Sequence, residues 1–240
     1  MLILYCVKFC RFVNKKKLQL ELKITSDGSH TLYVPELNEH YHSIHGAIQE
    51  SQHIFVDAGL KMFIGNKNEI NILEIGFGTG LNALLTLQEC SATNSIISYN
   101  GIEAYPLFPE IYSQLNYVSL LKTEDSKRYF KMLHEAEWGR QIEINKWFFL
   151  KKIQSDIRSY LFPVNEFDLI YFDAFGPDVQ PDLWTEEIFT NIYKSLKTGG
   201  ILITYSCKGI VKRALKNAGF LIEKLPGPPG KREILRSLKK

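Results

Sequence analysis

Apolar runs alternate with amphipathic stretches along most of this chain. Ile70, Ile72, Leu73 and Ile75 make a β-branched-rich run that suits a strand buried on both faces. Gly76, Gly78 and Gly80 then interrupt the pattern, and Leu81, Ala83, Leu84, Leu85 and Leu87 begin a helical one. Further strands are predicted over 95–102, 146–153, 167–172 and 201–205, and helices over 111–121, 126–136, 185–196 and 211–218. Lys197-Thr198-Gly199-Gly200 reads as the stop signal of the third of these helices. Upstream, 18–25 and 31–34 alternate around Asp27-Gly28-Ser29 and predict a hairpin. Ile44, Ala47, Ile48 and Ser51 form one stripe of a helix predicted over 41–64. At the far end, 220–224 and 233–236 predict an antiparallel pair closed around the Pro- and Gly-rich turn 226–230.

Strands alternating with helices predict an α/β fold, Rossmann-like, with a doubly wound, mostly parallel sheet. The antiparallel C-terminal pair and the N-terminal hairpin and helix are additions to it. The expected division is an extension over 1–64 packed on a core domain over 65–240. Ligands of such sheets bind beyond the carboxyl ends of the strands. A glycine loop between a strand and a helix N-terminus is a nucleotide-cofactor site. The dinucleotide fingerprint places its third glycine three residues after the second, where this chain has Leu81. Glu74, just before the loop, suits a cationic ligand better than a pyrophosphate. S-adenosylmethionine, with its ammonium and sulfonium, meets that requirement. The expected donor contacts on the loop are Glu74, Gly76, Phe77, Gly78, Thr79, Gly80 and Asn82.

Composition narrows the setting. The chain has 240 residues, 45% of them apolar, which suits one α/β domain with a modest extension. No apolar stretch reaches the ~18–20 residues of a membrane span. The apolar start, 1–12, is broken by Lys8 and Arg11 and precedes the basic cluster 15–17, the reverse of a signal peptide. Cys6, Cys10, Cys90 and Cys207 have neither zinc-site spacing nor the density of a disulfide scaffold. A reducing cytoplasm is the expected location, and no metal is expected. The net charge of +3 conceals an asymmetry. From Lys194 onward there are 12 Lys or Arg against 2 Asp or Glu, a balance of +10. That segment fits either a polyanion partner or a solvated surface with a Lys-rich tail.

The candidate chemistry gathers at the predicted strand ends. Glu103 follows the second core strand and can accept hydrogen bonds from both ribose hydroxyls. Asp156 either accepts from the exocyclic amine of adenine, with Ile157 packed on the ring, or caps a helix. Asp173, leaving the fourth strand, can hold a nucleophilic amine and take its proton, or it bonds nearby turn amides. Phe175 and Trp184 can stack on a planar base, with core packing the alternative for Trp184. Tyr41, in a polar segment with His42, Ser43, Glu50 and His53, covers the cofactor or belongs to a solvated helix start. Lys208, Lys231 and Arg232 are the basic candidates for substrate contact.

These residues carry a resemblance. The stretches 32–55 and 74–82, Asp173-Ala174-Phe175-Gly176-Pro177 with Pro181-Asp182-Leu183-Trp184, and Gly230-Lys231-Arg232-Glu233 span nearly the whole chain beyond residue 20. Through them the chain resembles the bacterial tRNA wobble-uridine methyltransferases that make 5-methylaminomethyl-2-thiouridine. It resembles the stand-alone type, which lacks the flavin domain of the bifunctional enzymes. Gly176 stands where the family usually has Ala or Ser, Ile234 where it has Met, and the first dozen residues match nothing in it. The resemblance implies a methyl donor at 74–82, Glu103 and Asp156, a catalytic aspartate at Asp173, and tRNA as the basic segment's partner. It also implies a functional link to the enzyme that installs the aminomethyl group. The competing readings are a polyamine (aminopropyl) synthase and a catalytically silent RNA-binding protein of the same fold.

Overall fold

The computed structural model describes residues 19–93, 95–122 and 125–240. The apolar start, the 15–17 cluster, Cys6, Cys10 and the first residue of the predicted strand 18–25 lie outside the described residues.

The N-terminal extension begins with β1 (Glu21–Ile24) and β2 (His30–Val34), paired antiparallel with Glu21 opposite Tyr33 and Ile24 opposite His30. The predicted hairpin is therefore present, and a short β3 (Glu39–His40) adds a third strand. Asp27 shapes the turn by accepting from the Ser29 amide at 2.9 Å. Its other oxygen accepts from the Gln49 amide at 3.0 Å and so caps α1 (Ala47–Ser51) from outside. This cap helps explain why the helix predicted over 41–64 is short. It starts only after Gly46, whose φ of 148° and contact with Asp27 leave no room for a side chain. It then widens into a π-helical turn (Gln52–Asp57) and ends near a 3-10 turn (Leu60–Met62).

The core follows the βα alternation: β4 (Glu69–Ile75), α2 (Leu81–Thr93) and β5 (Ile96–Glu103). The helix predicted over 111–121 is two short ones, α3 (Pro109–Tyr112) and α4 (Tyr117–Leu121). Between them Asn116 leaves the helical path to grip the hairpin, accepting from the His30 amide at 2.8 Å and donating to the Gly28 carbonyl at 2.9 Å. Next come α5 (Ser126–Glu135), β6 (Gln141–Asn145), β7 (Phe148–Gln154) and β8 (Phe167–Phe172). The chain ends with α6 (Glu186–Ser195), β9 (Leu196–Thr204), α7 (Gly209–Asn217), β10 (Leu221–Pro226) and β11 (Glu233–Leu238). Strand β9 starts as soon as α6 stops, so Gly199 and Gly200 lie inside a strand and not after a helix. A side chain at Gly200 would press on the Lys197 and Asp168 carbonyls.

The sheet order is β10-β11-β9-β8-β4-β5-β7-β6. The five central strands run parallel. The C-terminal pair closes one edge antiparallel, as expected, and β6, which the pattern reading left out, closes the other. All six residues of β8 are buried. Leu169 and Tyr171 pack with Leu81, Leu84 and Phe55 on one face, while Ile170 and Phe172 pack with Phe189, Ile192 and Leu215 on the other. Helices thus cover both faces of the sheet. Leu32, Ala47 and Ile54 of the extension share the first of these clusters. The chain runs from β4 outward through β5 and later returns to lay β8 on the other side of β4, which puts the topological switch point between β4 and β8.

Candidate active site

At that switch point a cavity of about 520 Å³ opens beyond the strand ends. Its floor is the turn from β4 into α2. The Gly76 and Phe77 amides both reach the Ile102 carbonyl, at 3.0 and 3.1 Å, and fold the loop over the end of β5. Gly76 has φ 92°, and a Cβ there would lie 2.6 Å from the Asp173 carbonyl oxygen. Only glycine permits that approach. Phe77 turns its ring onto Gly101, where a Cβ would stand 2.7 Å from it. The Thr79 hydroxyl meets His42 Nε2 at 2.6 Å, and the Thr79 carbonyl meets His134 Nε2 at 3.1 Å. Burial holds both imidazoles down to a pKa of about 4, so they are neutral at physiological pH.

Three carboxylates surround the loop. Glu103, on the cavity wall, accepts from the Gly78 amide at 3.0 Å and the Tyr105 amide at 2.8 Å. Burial raises its pKa and those amides oppose the rise. The Ala104 amide is a third backbone partner, and the carboxylate keeps acceptor capacity for a hydroxyl donor. Glu74 is fully buried and lies behind the wall, so the direct donor contact expected of it is not what the structure places there. It accepts at 2.9 Å from Asn82 Nδ2, which also donates to Asp173 Oδ2 at 2.8 Å. One amide thus joins two carboxylates. Asn82 Oδ1 is buried and has no partner among the described residues. Asp173 lines the cavity, and burial, followed by the nearby Glu50 charge, raises its carboxyl well above the usual range.

The remaining walls come from both ends of the chain. Tyr41 stands edge-on to Phe175 at 5.1 Å, and both line the cavity. Glu50 accepts from the Ser43 amide at 2.8 Å and pairs with Lys231 at 3.2 Å. Tyr205 donates its hydroxyl to the Ala174 carbonyl at 2.9 Å, and Lys208 pairs with Asp178 at the mouth. The sequence marks Glu50 only as part of the polar segment around Tyr41, and Tyr205 only as the end of a predicted strand. For Glu50 the available signal was a carboxylate amid the apolar positions of its helix.

Several expected contacts fall elsewhere. Ile157 lines the cavity, but the Asp156 carboxylate does not; Arg158 holds it at 3.0 Å through Nε, and the Arg158 amide donates to it at 2.9 Å. The segment after it is a turn and not the expected helix. Trp184 is 2% exposed, packs on Phe172 and donates Nε1 to the Phe175 carbonyl at 2.9 Å. It supports the Phe175 turn from within the core and stacks on no base. Arg232 is exposed and outside the cavity wall, whereas its neighbour Lys231 is on it. Among the described residues no group of three or more His, Cys, Asp or Glu could hold a metal, and no helix is long and apolar enough to cross a membrane.

Residues 122–240 match the model of a family described as S-adenosyl-L-methionine-dependent methyltransferase. The chain is 28% identical over 208 residues to the tRNA 5-methylaminomethyl-2-thiouridine biosynthesis bifunctional protein MnmC of Campylobacter hominis, covering 86% of this chain and 31% of that protein. It is 30% identical over 231 residues to the protein of the same name from Burkholderia multivorans, covering 89% and 34%. The chain thus spans about a third of the length of these curated relatives. Among solved structures, MNMC2 from Aquifex aeolicus superposes with a TM-score of 0.73 at 24% identity, over 100% of this chain and 76% of that one. Spermidine synthase from Thermotoga maritima gives 0.56 at 14%, over 94% and 82%. Both likenesses speak to the fold alone. The residues present suit the cofactor of the matching family: a glycine-lined floor, a ribose-competent carboxylate, and the unpartnered Asn82 Oδ1 as an acceptor.

Proposed function

From its match over residues 122–240 to the S-adenosyl-L-methionine-dependent methyltransferase family, we propose that this chain methylates the primary amine of a 5-aminomethyl-2-thiouridine at the wobble position of tRNA, giving 5-methylaminomethyl-2-thiouridine. The observation that carries the reading is Asp173: a carboxylate on the cavity wall, fixed by Asn82 and next to the glycine loop. The names of the curated relatives point to the same substrate.

Gly76 and Gly78 would hold the donor against their backbone, Glu103 its ribose hydroxyls, and Ile157 one face of its base; Gly80, expected to join them, lies off the cavity wall, against the rings of His134 and Phe77. When bound, S-adenosylmethionine supplies a methyl group activated by a sulfonium. The chain's own part is to bring a neutral amine into line and keep it there. Asp173 accepts the amine's proton at the oxygen that Asn82 leaves open. Tyr41 and Phe175 enclose the acceptor base and exclude water. The reaction belongs in the cytoplasm with its tRNA, downstream of an enzyme that attaches the aminomethyl group.

Mass spectrometry of tRNA nucleosides after incubation with protein and donor tests the reading. The expected result is one added methyl on the aminomethyl nucleoside. An unmodified nucleoside, alongside transfer of an aminopropyl group from added decarboxylated S-adenosylmethionine to a free polyamine with release of methylthioadenosine, would replace the reading with aminopropyl-type chemistry, to which the acid-lined cavity is also suited.

A further inference from the structure

The cavity already contains a primary ammonium group, that of Lys231. Its Nζ lies 3.2 Å from Glu50 Oε1 and 4.9 Å from the centre of the Tyr205 ring, over its face. Its charge also reaches Asp173, opposing the rise in that carboxyl's pKa. A carboxylate, an aromatic face and a second carboxylate are what an alkylammonium guest requires. The lysine is delivered there by a fixed loop. The Lys231 amide donates to the Pro228 carbonyl at 2.9 Å, the Gly227 amide donates to the Arg232 carbonyl at 3.1 Å, and a side chain at Gly227 would run into the Lys231 carbonyl. Gly230, at φ 84°, abuts the His45 ring so closely that no side chain fits. The Pro226 carbonyl is held by His53 at 2.9 Å. Glu50 is likewise fixed, by the Ser43 amide at 2.8 Å.

We propose that Glu50, the face of Tyr205 and Asp173 form the seat of the substrate's primary ammonium group, and that Lys231 occupies this seat until substrate arrives. The proposal rests on the aminomethyl reading and names the residues that receive the amine. Exchange of one ammonium for another leaves the charge of the cavity unchanged, so Glu50 is never left as a buried unpaired carboxylate. The Lys231 side chain is 27% exposed and has a way out to solvent. Once displaced, it adds a cation to the basic C-terminal surface as the polyanion docks, which ties recognition of the amine to recognition of the RNA.

Ethylammonium chloride is the probe, titrated calorimetrically into protein loaded with S-adenosylhomocysteine, with sodium chloride at equal ionic strength as the control. The wild-type protein should bind ethylammonium weakly but measurably more than the sodium control. Lys231→Met should bind it at least tenfold more tightly, and Glu50→Gln added to Lys231→Met should remove that gain, while Glu50→Asp retains part of it. With tRNA as substrate, Glu50→Gln should raise KM more than it lowers kcat. The proposal fails if Lys231→Met gains nothing, or if the gain survives Glu50→Gln. Should the variants not fold, as judged by melting and S-adenosylhomocysteine binding, the wild-type arm decides, and no preference for ethylammonium over sodium overturns the proposal. None of the binding arms uses tRNA. Glu50-dependent ethylammonium binding by a protein that leaves tRNA unmodified would sink the tRNA reading alone. Methylation of tRNA without such binding would sink the seat alone.

Discussion

At the scale of single residues, the protonation of Asp173 decides most. Its carboxyl is held well above the ordinary range by burial and then by Glu50. A group that must be ionised to take a proton loses function as pH falls through its pKa. Turnover should therefore fall on acidification at a higher pH than an ordinary carboxylate would give, and Glu50→Gln should move that limb to lower pH. Asp173→Asn should abolish the limb and lower kcat by roughly 10²–10⁴, the contribution of a general base, with donor affinity within a few-fold. Stability carries the opposite sign. Between the ordinary and the raised pKa the folded chain keeps a proton that the unfolded chain has released, so stability declines as pH rises through that window. The Asn variant should escape this decline in urea melts without donor. Glu103 has a different task. Glu103→Ala should weaken S-adenosylmethionine binding by about 1.5–3 kcal/mol, read by calorimetry, because hydrogen bonds to a charged acceptor and the anchor of Gly78 go together.

The element that matters most is the turn from β4 into α2, which two histidines clamp at Thr79. His42 comes from the extension and His134 from α5. Both have pKa values depressed from 6.5 to about 4 by burial. Below pH 6.5 the unfolded chain takes up protons that the folded chain refuses, so stability should drop as pH falls from 6.5 toward 4. His42→Gln with His134→Gln should flatten that dependence in urea midpoints and weaken donor binding as the loop loosens. The glycine turn and the alternation around it were legible because their signals are local: β-branched runs, three glycines, a helical stripe. The clamp was not, since Thr79 and His134 meet only after the sheet is assembled. Likewise, the 41–64 helix is limited partly by Asp27, a residue far away in sequence, and α3 and α4 separate because Asn116 answers to the hairpin. β6 had a readable alternation in Ile142 and Ile144, which the longer apolar run next to it obscured. Glu74 and Asp156 sit at the expected strand ends, but side-chain direction is set by neighbours, Asn82 for one and Arg158 for the other.

For the whole molecule, the charge asymmetry gains a location. The excess of lysine and arginine is shared between α7, the last three strands and the segments that flank them. Lys231 turns inward and Arg236 is occupied by Glu223 at 2.7 Å, while Arg213, Lys216 and Arg232 are exposed. Affinity for tRNA should fall steeply with salt, and replacing Arg213, Lys216 and Arg232 with alanine should lower the slope of log affinity against log salt by roughly 2–3. Filter binding across a salt series measures this, and an unchanged slope would place the RNA on another face.

The contact between Gly76 and the Asp173 carbonyl has one more consequence, for how such a protein changes over generations. The Asp173 amide also bonds the Ile75 carbonyl at 2.9 Å, so donor turn and acceptor turn are fused through main chain. No side-chain substitution can widen that joint without breaking β4 from β8. New acceptors have to be accommodated from the periphery, by Tyr41 and Glu50 on one side and the 226–231 loop on the other. Those segments are where a lineage can explore different amines while the chemistry between the two central strands is inherited intact.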